Sequence, residues 1–263
     1  MMEWSSAAAE IERWSSGGEI GVCVRSSTGA WFDFQSGRRF VAASTIKIPV
    51  MIALYRQVDA GRLAEDELIA LGPIRVPGSG VLQHLHEGLE LTLDDLCTLM
   101  MSISDNSATN VLVNLVGLDQ VNATIRDLGM KDSTMGRPML GRRAASDDGE
   151  NWVTPADLTT SVLAILENRA ASPTSCAVMK TMLIRQDQNR RVTRFAPEGS
   201  VWGSKPGTLP GIVNDAGFVE TERGTAVISV CCEGFAHDDE AGRAIADIAG
   251  AALETLGFVD QIG

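Results

Sequence analysis

The chain has 263 residues, of which 34 are acidic and 22 are basic, so its formal net charge is −12 with neutral histidines. Proteins that bind nucleic acid present a basic face to the phosphates, so this balance argues against nucleic acid as a partner. A hydrophobic fraction of 44% and a charged fraction of 21% are typical of a globular chain and exclude general disorder. A chain of this length can bury one large core.

The sequence also argues against a membrane span, a disulfide framework and a metal site. Residues 1–14 lack the basic start and apolar run of a signal peptide. The longest apolar stretch, residues 46–55, is far shorter than the ~20 residues that cross a bilayer. The five cysteines are widely spaced and typical of reduced core residues. We therefore expect a cytoplasmic location, no membrane partner, no metal and no organic cofactor.

Hydrophobic periodicity and turn residues place the elements along the chain. In chain order we predict a helix over residues 7–14, a hairpin of residues 18–25 and 30–35, a helix over 45–61, helical segments over 91–130, a helix over 154–168, strands over 201–204, 212–221 and 225–232, and a helix over 238–256. Thr92 and Asp95 have the form of a capping box, and Thr154 before Pro155 marks another helix start.

The order of these elements predicts an α+β fold. Strands near both ends, with helices between them, indicate an antiparallel sheet built from both termini and flanked by helices, with an inserted all-helical lobe. No repeat, low-complexity tract or long linker divides the chain. We expect a single domain over residues 1–263, with a sheet lobe over about 1–45 and 199–263 and a helical lobe over about 46–198.

Ser44 and Lys47 form a Ser-x-x-Lys motif at the start of the first long predicted helix. One helical turn separates the two side chains, so a lysine with a lowered pKa can take the proton of the serine hydroxyl. The free N–H groups of a helix N-terminus can stabilise an oxyanion. By itself, the spacing is more typical of a capped amphipathic helix with an exposed lysine.

Two further polar clusters lie downstream. The tripeptide Ser-Asp-Asn at residues 104–106 occupies a break between predicted helices, where serine can relay a proton and asparagine can orient a lysine and a substrate amide. These residue types are also ordinary helix N-caps. Lys205, Pro206 and Gly207 follow in a strand-like run, where the lysine can hold a carboxylate and the glycine permits close approach of an oxyanion. Alone, this tripeptide is a turn signal.

The three motifs together change the interpretation, because their order is that of the penicillin-recognising serine acyltransferases. The sequence resembles class A β-lactamases and related serine hydrolases of the β-lactamase-like superfamily. The resemblance runs from about residue 18 to the C-terminus, and it includes residues 40–47, 78–82, 99–110, 154–158 and 214–217.

The resemblance implies a role for each motif residue. Ser44 would be the nucleophile that forms an acyl-enzyme, and Lys47 its base or proton relay. Ser104 would pass a proton to the leaving nitrogen, and Asn106 would contact the substrate amide. Lys205 would support this relay and bind an anionic group of the substrate.

The resemblance also implies an oxyanion hole made by the backbone N–H groups of Ser44 and Thr208, directly after Gly207. One departure from the family lies beside it. The family usually carries a hydroxyl residue at the position of Pro206, where it binds the β-lactam carboxylate. Proline removes that hydroxyl and a backbone N–H, and strands accept it mainly at an edge, such as one that lines a cleft. Thr208 is a candidate replacement for the lost hydroxyl.

The second departure concerns deacylation. In class A β-lactamases a glutamate in the loop before the Thr-Pro helix start activates the water that hydrolyses the acyl-enzyme. Residues 106–149 contain no glutamate. Glu150 is the nearest candidate for this base, and Asp147 and Asp148 are alternatives, although all three also fit a solvated loop.

Three functions remain open on this evidence. The first is a serine hydrolase that forms an acyl-enzyme on Ser44 with a small ester, amide or lactam. The second is a true β-lactamase that uses one of the three loop acids as the deacylation base. The third is a sensor or binding protein that is acylated once and turns over little. The oligomeric state is not predicted.

Overall fold

The computed structural model describes residues 4–73, 75–145, 149–187 and 190–259. The helices are α1 (Ser5–Trp14), α2 (Lys47–Asp59), α3 (Leu93–Ser102), α4 (Asn106–Val116), α5 (Leu118–Asp127), α6 (Pro155–Leu166), α7 (Pro173–Ile184) and α8 (Asp238–Thr255). The strands are β1 (Glu19–Ser26), β2 (Trp31–Phe34), β3 (Phe40–Val41), β4 (Leu68–Ala70), β5 (Glu90–Thr92), β6 (Trp152–Val153), β7 (Val201–Leu209), β8 (Ile212–Thr221) and β9 (Gly224–Glu233). Short 3₁₀ turns cover Ala43–Ile46 and Leu82–His84.

Five strands form the main sheet, in the order β2-β1-β9-β8-β7. Each neighbouring pair is antiparallel, and the N-terminal strand β1 joins the C-terminal strand β9 with Val22 opposite Val230. The sheet is therefore built from both ends of the chain, as predicted. Strand β7 lies at one edge of the sheet, and this edge position accommodates Pro206.

The two faces of the sheet bury two separate apolar clusters. Along β8, Ala216 and Phe218 belong to the cluster that includes the buried side chains of α2, α3, α4 and α6. Val213 and Val219 of the same strand belong to the cluster that contains α8 and Ile11 of α1. This alternation follows from the two-residue period of a strand, and it places the helices between β3 and β7 on one face of the sheet.

Helix α2 is buried from Lys47 to Tyr55, which explains why its sequence is apolar on all sides. It begins later than predicted, because Ser44 lies in the 3₁₀ turn that precedes it. Ala43 in this turn has a φ of +46°, a conformation that L residues rarely adopt. The tight turn and the buried helix together fix the position of the Ser-x-x-Lys motif.

Other differences from the predicted elements have local causes. The helical segments predicted over residues 91–130 form three helices, as expected, because Asp105 caps α4 and Gly117, with a φ of +87°, ends it. Helix α7 was not predicted, since its apolar residues are spread over several sides and give no clear helical period. Four short strands, β3 to β6, also escaped prediction.

No helix among the described residues is long and apolar enough to cross a membrane. The cytoplasmic location and the division into two lobes at residues 45 and 199 stay predictions.

Leu54 of α2 tests how far the fold depends on this buried helix. Its side chain is fully buried, so Leu54→Ala should lower the free energy of unfolding by about 2–5 kcal/mol through lost burial and a cavity. Leu115→Ala is the matched control, because Leu115 on α4 is 39% exposed and should lose no more than about 0.5 kcal/mol. Urea unfolding followed by circular dichroism measures both, and equal losses would contradict the central position of α2.

Candidate active site

The amine of Lys47 is fully buried beside the turn that precedes α4. Its Nζ lies 2.7 Å from the carbonyl oxygen of Ser104, 3.0 Å from Ser104 Oγ and 2.9 Å from Asn106 Oδ1. The carbonyl and amide oxygens only accept, so the amine donates two protons to them, whereas the hydroxyl can donate to the nitrogen. A protonated amine can donate to all three partners, and a neutral amine can donate to two of them and accept from the hydroxyl.

Burial and the neighbouring Lys205 favour the neutral form of Lys47. Burial lowers the pKa of Lys47 well below its usual range, the charge of Lys205 lowers it further, and Asp105 acts in the opposite direction. Lys205 is itself fully buried, and its Nζ donates to the carbonyl oxygen of Pro206 at 3.1 Å. Burial lowers the pKa of Lys205 to about 7, although Asp215 raises it. A buried neutral amine is the form that can act as a base.

The three residues of the Ser-Asp-Asn tripeptide have different tasks. Ser104 has a φ of +60°, a strained conformation that places both its carbonyl and its hydroxyl beside Lys47. Asp105 caps α4 by accepting from the Ala108 N–H at 2.9 Å. Asn106 reaches Lys47 from the first turn of α4. The N-cap interpretation is thus confirmed for Asp105, whereas Ser104 and Asn106 make the polar contacts with Lys47.

A glycine-containing segment, residues 77–82, is held against this tripeptide. Asn106 donates from its side chain to the carbonyl of Pro77 at 3.0 Å and from its backbone to that of Ser79 at 3.1 Å. A Cβ on Gly80 would lie 2.3 Å from the carboxylate of Asp105, so only glycine fits there. The segment therefore forms a fixed wall beside Asn106.

Strand β7 approaches the 3₁₀ turn that carries Ser44, which is 9% exposed. A Cβ on Gly207 would lie 2.7 Å from the backbone nitrogen of Ser44 and 3.0 Å from that of Thr45. Glycine at this position therefore lets the strand backbone come close to the N–H groups of the turn. Such proximity is what two backbone donors need to face one oxyanion.

Arg191 is a polar residue of this region that the sequence analysis missed. It is 8% exposed, and its Nη2 donates to Thr208 Oγ1 at 2.8 Å. Its Nη1 donates to the carbonyl oxygens of Asn214 at 3.2 Å and Gly207 at 3.4 Å. The arginine lies in the connection between α7 and β7, where no periodic pattern marks it. Buried Asp215 attracts Arg191 electrostatically. It lies within residues 214–217, which resemble the family, but the sequence analysis predicted no role for it.

The carboxylate of Glu150 is engaged inside its own loop. Its Oε1 lies 2.8 Å from Arg137 Nη2, in an ion pair that is largely buried, and it accepts from the Asn151 N–H at 2.8 Å. Its Oε2 accepts from the Ala144 N–H at 3.2 Å. These contacts give Glu150 a structural task, and its role as a deacylation base stays a prediction. The alternative acids, Asp147 and Asp148, lie outside the described residues.

The same loop is tied to α4 at an apolar residue. Asn110 of α4 accepts from the Met139 N–H at 2.7 Å and donates to the Met139 carbonyl at 2.9 Å. The loop thus meets α4 at a methionine. Among the described residues, no group of three or more histidine, cysteine, aspartate or glutamate side chains could hold a metal ion.

Comparisons with known proteins place this geometry in a family. The sequence model described as the Beta-lactamase enzyme family matches residues 5–256. The chain belongs to this family. A β-lactamase structure from Sphaerobacter thermophilus is 49% identical, covers 98% of this chain and 99% of its own, and superposes with a TM-score of 0.96. The family and its structural neighbours confirm the predicted fold class and the predicted class of enzyme, a serine hydrolase.

Two other relatives are more distant. The structure of an ancestral class A β-lactamase is 26% identical, covers 96% of this chain and 99% of its own, and has a TM-score of 0.86. A β-lactamase of Rhodobacter capsulatus is 28% identical over 173 residues, which is 64% of this chain. That match spans 58% of the length of the Rhodobacter protein.

The buried Lys205 predicts a pH dependence of stability. Its pKa is about 7 in the folded protein and near 10.5 when unfolded, so between these values the unfolded state binds the extra proton. Stability therefore rises with pH, by up to about 1.4 kcal/mol per unit from this lysine.

Urea unfolding between about pH 6.5 and pH 7.5, below the pKa of about 8.5 at which unfolded cysteines ionise, measures this slope. Lys205→Met should reduce it, whereas Lys180→Met, which removes a partly exposed lysine paired with Glu220, should leave it unchanged. Equal slopes in the wild type and the Lys205 variant would contradict the lowered pKa.

Proposed function

We propose that the protein hydrolyses β-lactams through an acyl-enzyme on Ser44. The observation that carries this proposal is the buried Lys47 amine, which is held by Ser104 and Asn106 in a setting that favours its neutral form. One turn before it, Ser44 lies beside the close approach of Gly207. The family membership and the names of the related β-lactamases support the choice of a lactam carbonyl as the target.

In the proposed acylation step, Lys47 takes the proton of Ser44 as Oγ attacks the lactam carbonyl carbon. The developing oxyanion is stabilised by the backbone N–H groups of Ser44 and Thr208. The proton then passes through the hydroxyl of Ser104 to the ring nitrogen, the C–N bond breaks, and an ester on Ser44 remains. The 3.0 Å contact between Lys47 Nζ and Ser104 Oγ supports this proton path.

In this proposal, positively charged residues near Thr208 bind the carboxylate of the substrate, although the motif carries a proline at position 206. Pro206 offers no hydroxyl, but the hydroxyl of Thr208 receives a hydrogen bond from the guanidinium of Arg191. With that lone pair engaged, the hydroxyl proton of Thr208 is free for a substrate anion. Lys205, protonated in part near neutral pH, adds a second positive group. We infer that Thr208, together with Arg191 and Lys205, replaces the hydroxyl residue that is usual in the family.

Deacylation is the slower step in this proposal. Glu150 is bound by Arg137, and the loop contacts α4 through Met139, whose side chain cannot act as a base. Water activation then falls to Lys47, whose lone pair is available again after the proton has left for the ring nitrogen. An ester that is hydrolysed without a dedicated carboxylate accumulates, so the acyl-enzyme should be observable.

Intact-protein mass spectrometry after mixing with benzylpenicillin tests the nucleophile. The wild type should gain the mass of one penicillin, and Ser44→Ala should gain none because it lacks the attacking oxygen. Ser26→Ala in the β1–β2 hairpin is the control and should behave as the wild type does. Product formation without an adduct would show that deacylation is not limiting, and neither adduct nor product would contradict the β-lactam substrate.

A pair of variants tests the role of Glu150. Glu150→Gln and Arg137→Gln both break the same ion pair, but only the first removes the carboxylate. If that carboxylate serves structure alone, both variants should deacylate at similar rates and show similar losses of thermal stability. Loss of a general base, by contrast, would slow deacylation by about 10²- to 10⁴-fold in Glu150→Gln only, and that result would make Glu150 the deacylation base.

A further inference from the structure

A groove of about 720 Å³ lies between residues 190–195 and the first half of α8. Residues 238–247 of α8 form one side of the groove, and the connection between α7 and β7 forms the other. The groove contains neither Ser44 nor Lys47, and of its lining residues the proposed function uses Arg191. We name it the α8 groove.

The α8 groove carries a small excess of positive charge, although the net charge of the chain is −12. Four arginines line it, and within the described part of the chain the three exposed ones form no ion pair: Arg190, Arg194 and Arg243. Of the acids that line it, Asp247 is paired with Arg13, and Asp238 accepts from the Gly211 N–H at 3.1 Å. Even with Asp239 counted, the arginines outnumber the acids, so the groove favours an anion.

Two of these arginines lie near aromatic rings. The guanidinium carbon of Arg190 lies 4.0 Å from the ring centroid of Trp202, and that of Arg194 lies 5.9 Å from the ring of Phe195. Phe195 and Ala246 also line the groove and give it an apolar surface. Cations next to an apolar surface suit a carboxylate with an apolar body better than a bare inorganic ion.

A single side chain links the α8 groove to the candidate active site. A Cβ atom on Gly242 of α8 would lie 3.6 Å from Arg191 Nε, with no other neighbour outside its own helix within 4 Å. The glycine therefore leaves this edge of Arg191 facing the groove. The other edge of the same guanidinium donates to Thr208 Oγ1 and to the carbonyl of Gly207. Any anion that attracts Arg191 from the groove competes with these contacts on β7.

We propose that the α8 groove binds a small organic carboxylate, and that its occupation alters substrate acylation by drawing Arg191 away from Thr208. The groups that face Arg191 are Asp215 from β8, Cys232 from β9, and Asp238 and Asp239 from α8. The binding part of this proposal stands alone, whereas the effect on acylation rests on the proposed function.

Calorimetric titration with phthalate tests the binding part. Phthalamide is the neutral probe of the same shape, and it should bind at least about tenfold more weakly because it lacks charge-assisted hydrogen bonds. The double variant Arg194→Ala/Arg243→Ala should weaken phthalate binding by about tenfold or more. The matched double variant Arg62→Ala/Arg126→Ala removes two exposed arginines elsewhere and should leave it unchanged. Equal binding of both probes, or equal effects of both double variants, would overturn the site.

A third variant tests the groove without removing charge. Gly242→Leu places a side chain in the groove beside Arg191 Nε, and leucine is a better helix former than glycine, so the fold should be retained. Phthalate binding should fall at least about tenfold, as for the arginine variants, because the space is filled. Unchanged binding by a folded Gly242→Leu protein would place phthalate outside the groove.

The effect on acylation is measured with benzylpenicillin at increasing phthalate concentration. The rate constant should fall by about twofold or more and level off above zero, and this change should disappear in Arg194→Ala/Arg243→Ala and persist in the control double variant. A fall to zero that survives the groove variants would show competition at Ser44 and overturn the coupling. A wild type that is never acylated refutes the proposed function, while the titrations still decide the binding site.

Discussion

The burial of the Lys47 amine is the constraint on which the rest of the site depends. An ammonium group loses several kcal/mol when it is taken out of water without compensation, so the protein must either neutralise it or surround it with acceptors. The structure does both, because burial and Lys205 lower its pKa while Ser104 and Asn106 supply acceptors. The strained φ of Ser104 and the capping by Asp105 follow from the need to place these acceptors.

Strand β7 serves both faces of the sheet. Lys205 and Gly207 alternate along it with Pro206 and Thr208, so one face carries the lysine and the close approach to Ser44. Arg191 contacts Gly207 and Thr208 of this strand and also borders α8, so it connects β7 with the helix on the other face of the sheet. An edge strand can do this because its outer side is not occupied by another strand.

Much of the fold was predictable because its elements carry their own signals. Strand β8 occupies residues 212–221 as predicted, and α8 ends within one residue of its predicted end. The capping box at Thr92 and the Thr-Pro start of α6 also form as expected. Helix α7 lacked a clear period, and the 3₁₀ turn at Ser44 depends on a positive φ at Ala43 that no local sequence pattern announces.

The sequence by itself determined the identity and order of the motifs, because their short spacings place Ser44 one turn from Lys47 and Ser104 two residues from Asn106. It also indicated the sheet made from both termini. Only the tertiary structure decided which partners meet: the amine of Lys47 with Asn106, Arg191 with Thr208, and Glu150 with Arg137. These contacts join residues that lie 13 to 59 positions apart, and their geometry depends on how the helices pack on the sheet, which no local pattern encodes.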